Sequence, residues 1–138
     1  MTYKGDVGPQ EAWNMLGEDA KAVLVDVRTR AEWSFVGLPD ISTLGKTLVL
    51  VEWQGFPDSR PNAEFASQLE SQGLGADNAL LFLCRSGGRS AAAAHLMTAQ
   101  GFDQCYNVAG GFEGDLDESR HRGARGGWKA DGLPWTQS

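Results

Sequence analysis

Cysteine is scarce in this chain: Cys84 and Cys105 are the only two in 138 residues. Two thiols cannot build the multi-bridge framework of a small secreted scaffold. With no CxxC pair and no His/Cys cluster, they also offer no spacing for a structural zinc. Long apolar runs are missing too, since no segment approaches the roughly 20 residues that a membrane-spanning helix needs. The opening MTYKGDVGPQEAW has no apolar core of a secretory signal, so the cytoplasm is the expected compartment, with no membrane partner. Positive charge is in deficit, with 12 Lys and Arg against 18 Asp and Glu and a net charge of -6. That balance excludes a broad nucleic-acid surface, which requires clustered cations. Internal repeats are absent. What remains, 41% hydrophobic and 22% charged residues in a chain of single-domain length, is the composition of one globular domain with an ordinary core.

Several stretches have a period. Pro9 can open a helix over PQEAWNML, with Ala12, Trp13 and Leu16 on one face and Gly17 as its stop. AVLVDV (22–27), TLVLVEW (47–53) and ALLFL (79–83) are apolar on both faces, as strands of a parallel sheet are. NAEFASQLESQG places Phe65, Ala66 and Leu69 on one helical face before Gly73, and RSAAAAHLMTAQG is a helix by its Ala, Leu and Met content, closed by Gly101. CYNVAGG (105–111) is a last short strand running into a glycine turn. Strands alternating with helices imply an α/β domain, a central parallel sheet with helices on both faces. Residues 112–138 lack a sustained period and read as an irregular tail. Its charges, Glu113, Asp115, Asp117, Glu118, Arg120, Arg122 and Arg125, read as a solvated face, while Trp128, Leu133 and Trp135 bring its end back onto the domain.

The strand ALLFL ends at Cys84, and the next six residues are Arg85, Ser86, Gly87, Gly88, Arg89 and Ser90. Ligands of open α/β sheets gather at the carboxyl ends of the strands, which is where this cysteine stands. A thiol attacks as its thiolate, so something must stabilise an anion. Gly87 and Gly88 allow backbone N–H groups to turn inward, the helix starting near Arg89 or Ser90 adds the positive end of its dipole, and Arg85 and Arg89 are permanent cations suited to an oxyanion. The segment describes a cradle around one sulfur that also accepts an anion. A plain buried cysteine before a glycine turn is the alternative, but so polar and short a loop is a costly way to pack one thiol.

CRSGGRS resembles the active-site loop of the rhodanese family, a Cys followed after four residues by Arg. VLVDVRTRAEW (23–33) is similar to the family's first signature, YNVAGGFEG (106–114) to its closing strand and Gly-Gly turn, and GLPW to its ending. The chain departs from the family after Glu32 and Trp33, where VGLPDISTLGK replaces the usual Gly-His step, and in the longer stretch between Glu113 and Trp128. The resemblance implies a single-domain thiosulfate sulfurtransferase without metal or cofactor. Cys84 would take a sulfane sulfur from a small anionic donor, hold it as a persulfide and yield it to cyanide, a thiol or a protein acceptor. The N–H groups of Arg85 to Ser90 would hold the sulfur, Arg85 and Arg89 would orient the donor, and Ser90 would cap the helix or touch the persulfide. Asp26 and Arg28 are candidate pocket residues, with a structural ion pair or turn cap as the preferred reading. Glu32 has no role that can be derived.

Two other functions compete. A cysteine phosphatase of related fold spaces its Cys and Arg by five residues, whereas four separate Cys84 from Arg89. A non-catalytic partner-binding module of the family typically loses the cysteine that this chain keeps. Cys105 opens its strand while Cys84 closes another, so the two should lie at opposite ends of the sheet, and packing is the expected role of Cys105. His95 and His121 have no positioned partner in the sequence.

Overall fold

The computed structural model describes residues 3–137, so the outermost ends of the expected 1–138 domain and 112–138 tail lie outside the described residues. In chain order the elements are β1 (Gly5–Val7), α1 (Pro9–Glu18), β2 (Ala22–Asp26), α2 (Arg30–Phe35), β3 (Leu38–Pro39) and a 3-10 turn (Ser42–Leu44). They continue with β4 (Val49–Leu50), α3 (Phe65–Ser71), β5 (Ala79–Leu83), α4 (Gly88–Ala99), β6 (Cys105–Val108), α5 (Gly127–Ala130) and β7 (Trp135–Thr136). Five strands form one sheet in the order β1-β6-β5-β2-β4, and every pair in it is parallel.

The period of two along β5 divides the core. Ala79, Leu81 and Leu83 join Leu24 of β2, Ala12 and Leu16 of α1 and Trp128 of α5 on one face. Leu80 and Phe82 join Val25 of β2, Phe65 and Leu69 of α3 and Ala93, Ala94 and Met97 of α4 on the other. Burial of both faces explains why β2 and β5 read as unbroken apolar runs. Cys84 continues the Leu80, Phe82 alternation and therefore belongs with α4.

Structure and sequence expectation differ at several elements. Of the run 47–53 only Val49 and Leu50 are strand, although Val51 N and Trp53 N still donate to the carbonyls of Asp26 and Val27. Helix α1 runs through Gly17 to Glu18. The tail is not irregular throughout: it forms α5 and then β7, which pairs antiparallel with β3, Pro39 opposite Trp135. Trp128 is fully buried and Leu133 nearly so, as their size predicts, but Trp135 stays 38% exposed, with its ring edge against Phe112 and Lys129 above it. Strand β1 and helix α2 carry no apolar period. The first exists by pairing with β6, and the second is set by a capping box in which Thr29 Oγ1 accepts from Glu32 N and Glu32 Oε1 accepts from Thr29 N.

Candidate active site

Cys84 directly follows β5, and its backbone is pinned from outside. Its carbonyl accepts from Phe112 N at 2.8 Å, and the Arg85 carbonyl accepts from Glu113 N and Gly114 N at 2.9 and 3.2 Å. The glycine turn after β6 makes this closeness possible. At Gly111, with φ +60°, an added Cβ would stand 2.5 Å from the Cys84 carbonyl oxygen and 2.6 Å from the Arg85 carbonyl group. A second pinch lies beside it, where a Cβ on Gly114 would stand within van der Waals radii of the Gly126 carbonyl and one on Gly127 would sit 2.7 Å from Gly114 N. The stretch from Gly114 to Gly126 therefore leaves and returns through one narrow neck.

Inside the loop, the Cys84 sulfur accepts from Gly87 N–H at 3.1 Å and lies 3.2 Å from Ser90 Oγ. Gly87, at φ 120°, is the residue that turns its N–H back toward the sulfur and caps α4. Gly88 starts the helix, so the first turn of a 12-residue α4 ends beside the sulfur. The remaining loop N–H groups, expected to converge on the sulfur, make no hydrogen bond to it among the described residues. Cys84 is 1% exposed. Above the loop opens a cleft of about 430 Å³ whose lining includes Arg85, Arg89, Glu32, Phe56, Glu113 and Arg122. Arg85 is exposed there, Ser86 is half-buried, and Arg122 is anchored through a 2.7 Å bond to the Gly114 carbonyl.

The two loop arginines differ in their freedom. Arg89, expected to bind the donor, gives both of its terminal nitrogens to Glu32, at 2.7 and 3.0 Å. This fork ties α4 to α2 and gives Glu32 the role that the sequence left blank. Burial pushes the Glu32 carboxyl up, but the Arg89 fork and the donors of Thr29 outweigh it and hold the group down at about 2. A carboxyl lowered by folding stabilises the fold fully above its ordinary value of 4.5, and that contribution disappears as pH falls toward about 2. Glu32→Gln is expected to lower stability by about 1–3 kcal/mol at neutral pH by orphaning part of the fork. The difference from the parent should shrink between those two pH values, which urea unfolding at a series of pH values measures.

Asp26 and Arg28 do not line the cleft. Both side chains are fully buried in a fork of 2.7 and 2.9 Å, Arg28 also donates to the Gly37 carbonyl at 2.7 Å, and its guanidinium lies 4.4 Å from the Phe112 ring centre. Asp26 Oδ1 also accepts from Arg28 N at 3.1 Å, so both parts of the preferred reading, ion pair and turn cap, are present in the structure. The pair fixes the exit of β2 against the turn that pins Cys84. Cys105 is opposite Leu80 in the register, four residues and so roughly 13 Å along the sheet from Cys84. Both thiols are free, and burial pushes the Cys105 thiol up to about 11. His95 and His121 are exposed. Sequence reasoning passed over Asn107, a polar side chain buried in β6 that touches Ser90, and Asp6, which touches Asn107. A polar residue inside the apolar run CYNVA was the available signal.

With this geometry in place, residues 5–138 match the family model described as the STR4 middle domain. The chain belongs to the STR4 middle-domain family. Its fold is rhodanese-like: a rhodanese-like domain protein from Staphylococcus aureus superposes with a TM-score of 0.58 at 18% identity, over 97% of this chain and 98% of that one. The crystal structure of Rv0390 from M. tuberculosis matches with a TM-score of 0.91 and 48% identity, over 99% of this chain and all of the other. An uncharacterised protein of Rickettsia rickettsii is 40% identical over 125 residues, 91% of each chain. The thiosulfate sulfurtransferase GlpE of Glaesserella parasuis is 29% identical over 114 residues, 79% of this chain and 83% of the relative. No helix among the described residues is long and apolar enough to cross a membrane.

Proposed function

We propose that the protein moves a sulfane sulfur from thiosulfate, or a similar small anion, to a thiophilic acceptor through a persulfide on Cys84. The observation that carries this reading is the Cys84 sulfur at the carboxyl end of β5, 3.1 Å from Gly87 N–H and beside the first turn of α4. A sulfur so placed is stabilised as an anion before and after it gains a second sulfur, because N–H and dipole point to where the charge resides in both states. The name of the GlpE relative supports the same chemistry.

The Cys84 thiolate attacks the outer sulfur of thiosulfate, a sulfur–sulfur bond forms to the enzyme, and the bond to the inner sulfur breaks. Sulfite leaves with the electron pair. Arg85, which no carboxylate engages among the described residues, orients the donor and offsets the charge of the departing sulfite, while Arg89 shapes the loop through Glu32. The acceptor, cyanide, a small thiol or a protein thiol, then attacks the outer persulfide sulfur. Its bond to Cys84 breaks and the thiolate returns. A reducing compartment such as the cytoplasm suits both free cysteines.

Intact mass after incubation with thiosulfate should rise by one sulfur atom located on Cys84, and cyanide should remove it. An unchanged mass, or turnover of an aryl phosphate faster than sulfur transfer, would overturn the proposal in favour of a binding module or a phosphatase.

A further inference from the structure

Ser90 stands at a junction. Its Oγ lies 3.2 Å from the Cys84 sulfur, 3.2 Å from the Gly87 carbonyl oxygen and 2.5 Å from Asn107 Oδ1. A hydroxyl has one proton to donate, so at most one of these contacts receives it in full. The choice is made on the far side of Asn107. There Asn107 Nδ2 donates to Asp6 Oδ1 at 3.0 Å, and the same carboxylate oxygen accepts from the Tyr3 hydroxyl at 2.7 Å. An ionised carboxylate only accepts, so the amide must present its NH2 to Asp6 and its oxygen to Ser90. An amide oxygen also only accepts. The Ser90 proton is therefore drawn to Asn107, the shortest of its three contacts, and a hydroxyl lone pair faces the sulfur. That lone pair suits a thiol donating its S–H and opposes a thiolate.

We propose that Asp6 and Asn107 are positioning residues that hold the Ser90 proton away from the Cys84 sulfur, so that the hydroxyl turns to donate to sulfur only as the thiol ionises. When it turns, the buried Asn107 oxygen loses its donor, and ionisation carries the penalty of that orphaned acceptor. The inference rests on Cys84 being the nucleophile of the proposed sulfur transfer. Other charges surround the loop: Arg85 and Arg89, Glu32 on Arg89, Glu113 and Arg122 from the tail, and the buried Asp26 and Arg28 pair below. None of these is altered in the variants that test the relay.

The ultraviolet absorbance of the thiolate, followed against pH, reads the effect directly. Cys105, pushed up to about 11, ionises late and separates from the signal. At a pH on the early rise of the parent's curve, Asn107→Ala should hold about tenfold more thiolate, because Ser90 is then free to donate to sulfur. Asp6→Ala, at an exposed position that leaves the core untouched, should act in the same direction by letting the amide turn over. In a Ser90→Ala background, Asn107→Ala should add nothing, and the part of the Asp6→Ala effect that passes through the hydroxyl should vanish. An unmoved curve in both single variants, or equal displacement with and without Ser90, overturns the proposal. The absorbance needs no sulfur donor, so such a failure leaves the persulfide reading intact. A missing persulfide mass, conversely, leaves the direction of the hydroxyl measurable.

Discussion

Cys84→Ser should abolish thiosulfate:cyanide sulfur transfer, a loss on the order of a thousandfold or more, while Cys105→Ser should keep most of the parent rate. The serine hydroxyl would still sit beside Gly87 N–H and α4, but it neither ionises near neutrality nor forms a persulfide. Cys105 lies toward the other end of the sheet among apolar side chains, with its thiol pushed up by burial to about 11, so its loss affects packing and not chemistry. Initial rates of thiocyanate formation for both variants, each checked for a folded circular-dichroism spectrum, decide the matter. Equal loss in the two would sink the assignment of Cys84.

Gly111→Ala is expected to cost about a hundredfold in the same rate and about 2–4 kcal/mol in stability. The new methyl would meet the Cys84 and Arg85 carbonyl groups at 2.5 to 2.6 Å, at a residue whose φ of +60° already disfavours a side chain. Relief requires the turn and the Cys84 loop to separate, which breaks the bonds from Phe112 N and Glu113 N that aim the loop. Urea unfolding combined with kcat/KM for thiosulfate tests it. Unchanged kinetics would mean that the turn does not position the sulfur. Gly123→Ala, at a positive φ but with nothing within 4 Å of its Cβ, provides the comparison for backbone strain alone.

The parts of the fold legible in the sequence were those whose signal is local. Strands β2 and β5 are buried on both faces and therefore spell continuous Val and Leu, and α4 is rich in helix-forming Ala. Strand β1, reading Gly-Asp-Val, and β7, reading Trp-Thr, have no such pattern, because a partner strand far along the chain makes each of them. The site divides in the same way. Cys84, Gly87 and the start of α4 are neighbours in sequence and announce themselves together. The role of Glu32 depends on Arg89, 57 residues away, and that of Asn107 on Asp6, 101 residues away. Arg89 shows what local reading leaves out: as a residue type it suits an oxyanion, and only the folded chain reveals that Glu32 binds it as well.

The glycine neck bears on how this domain can vary. Because the chain enters the 114–126 excursion and leaves it through backbones already in contact, the excursion is a closed loop attached at one point, with its own turn held by Asp117. Lengthening such a loop adds closure entropy only slowly, about 0.6 kcal/mol for each doubling. Its tip can therefore be exchanged, extended or fused to a foreign segment without moving the bonds that aim Cys84, provided that Gly114, Gly126 and Gly127 are kept. The wall of the cleft bearing Arg122 is a replaceable part on a fixed frame.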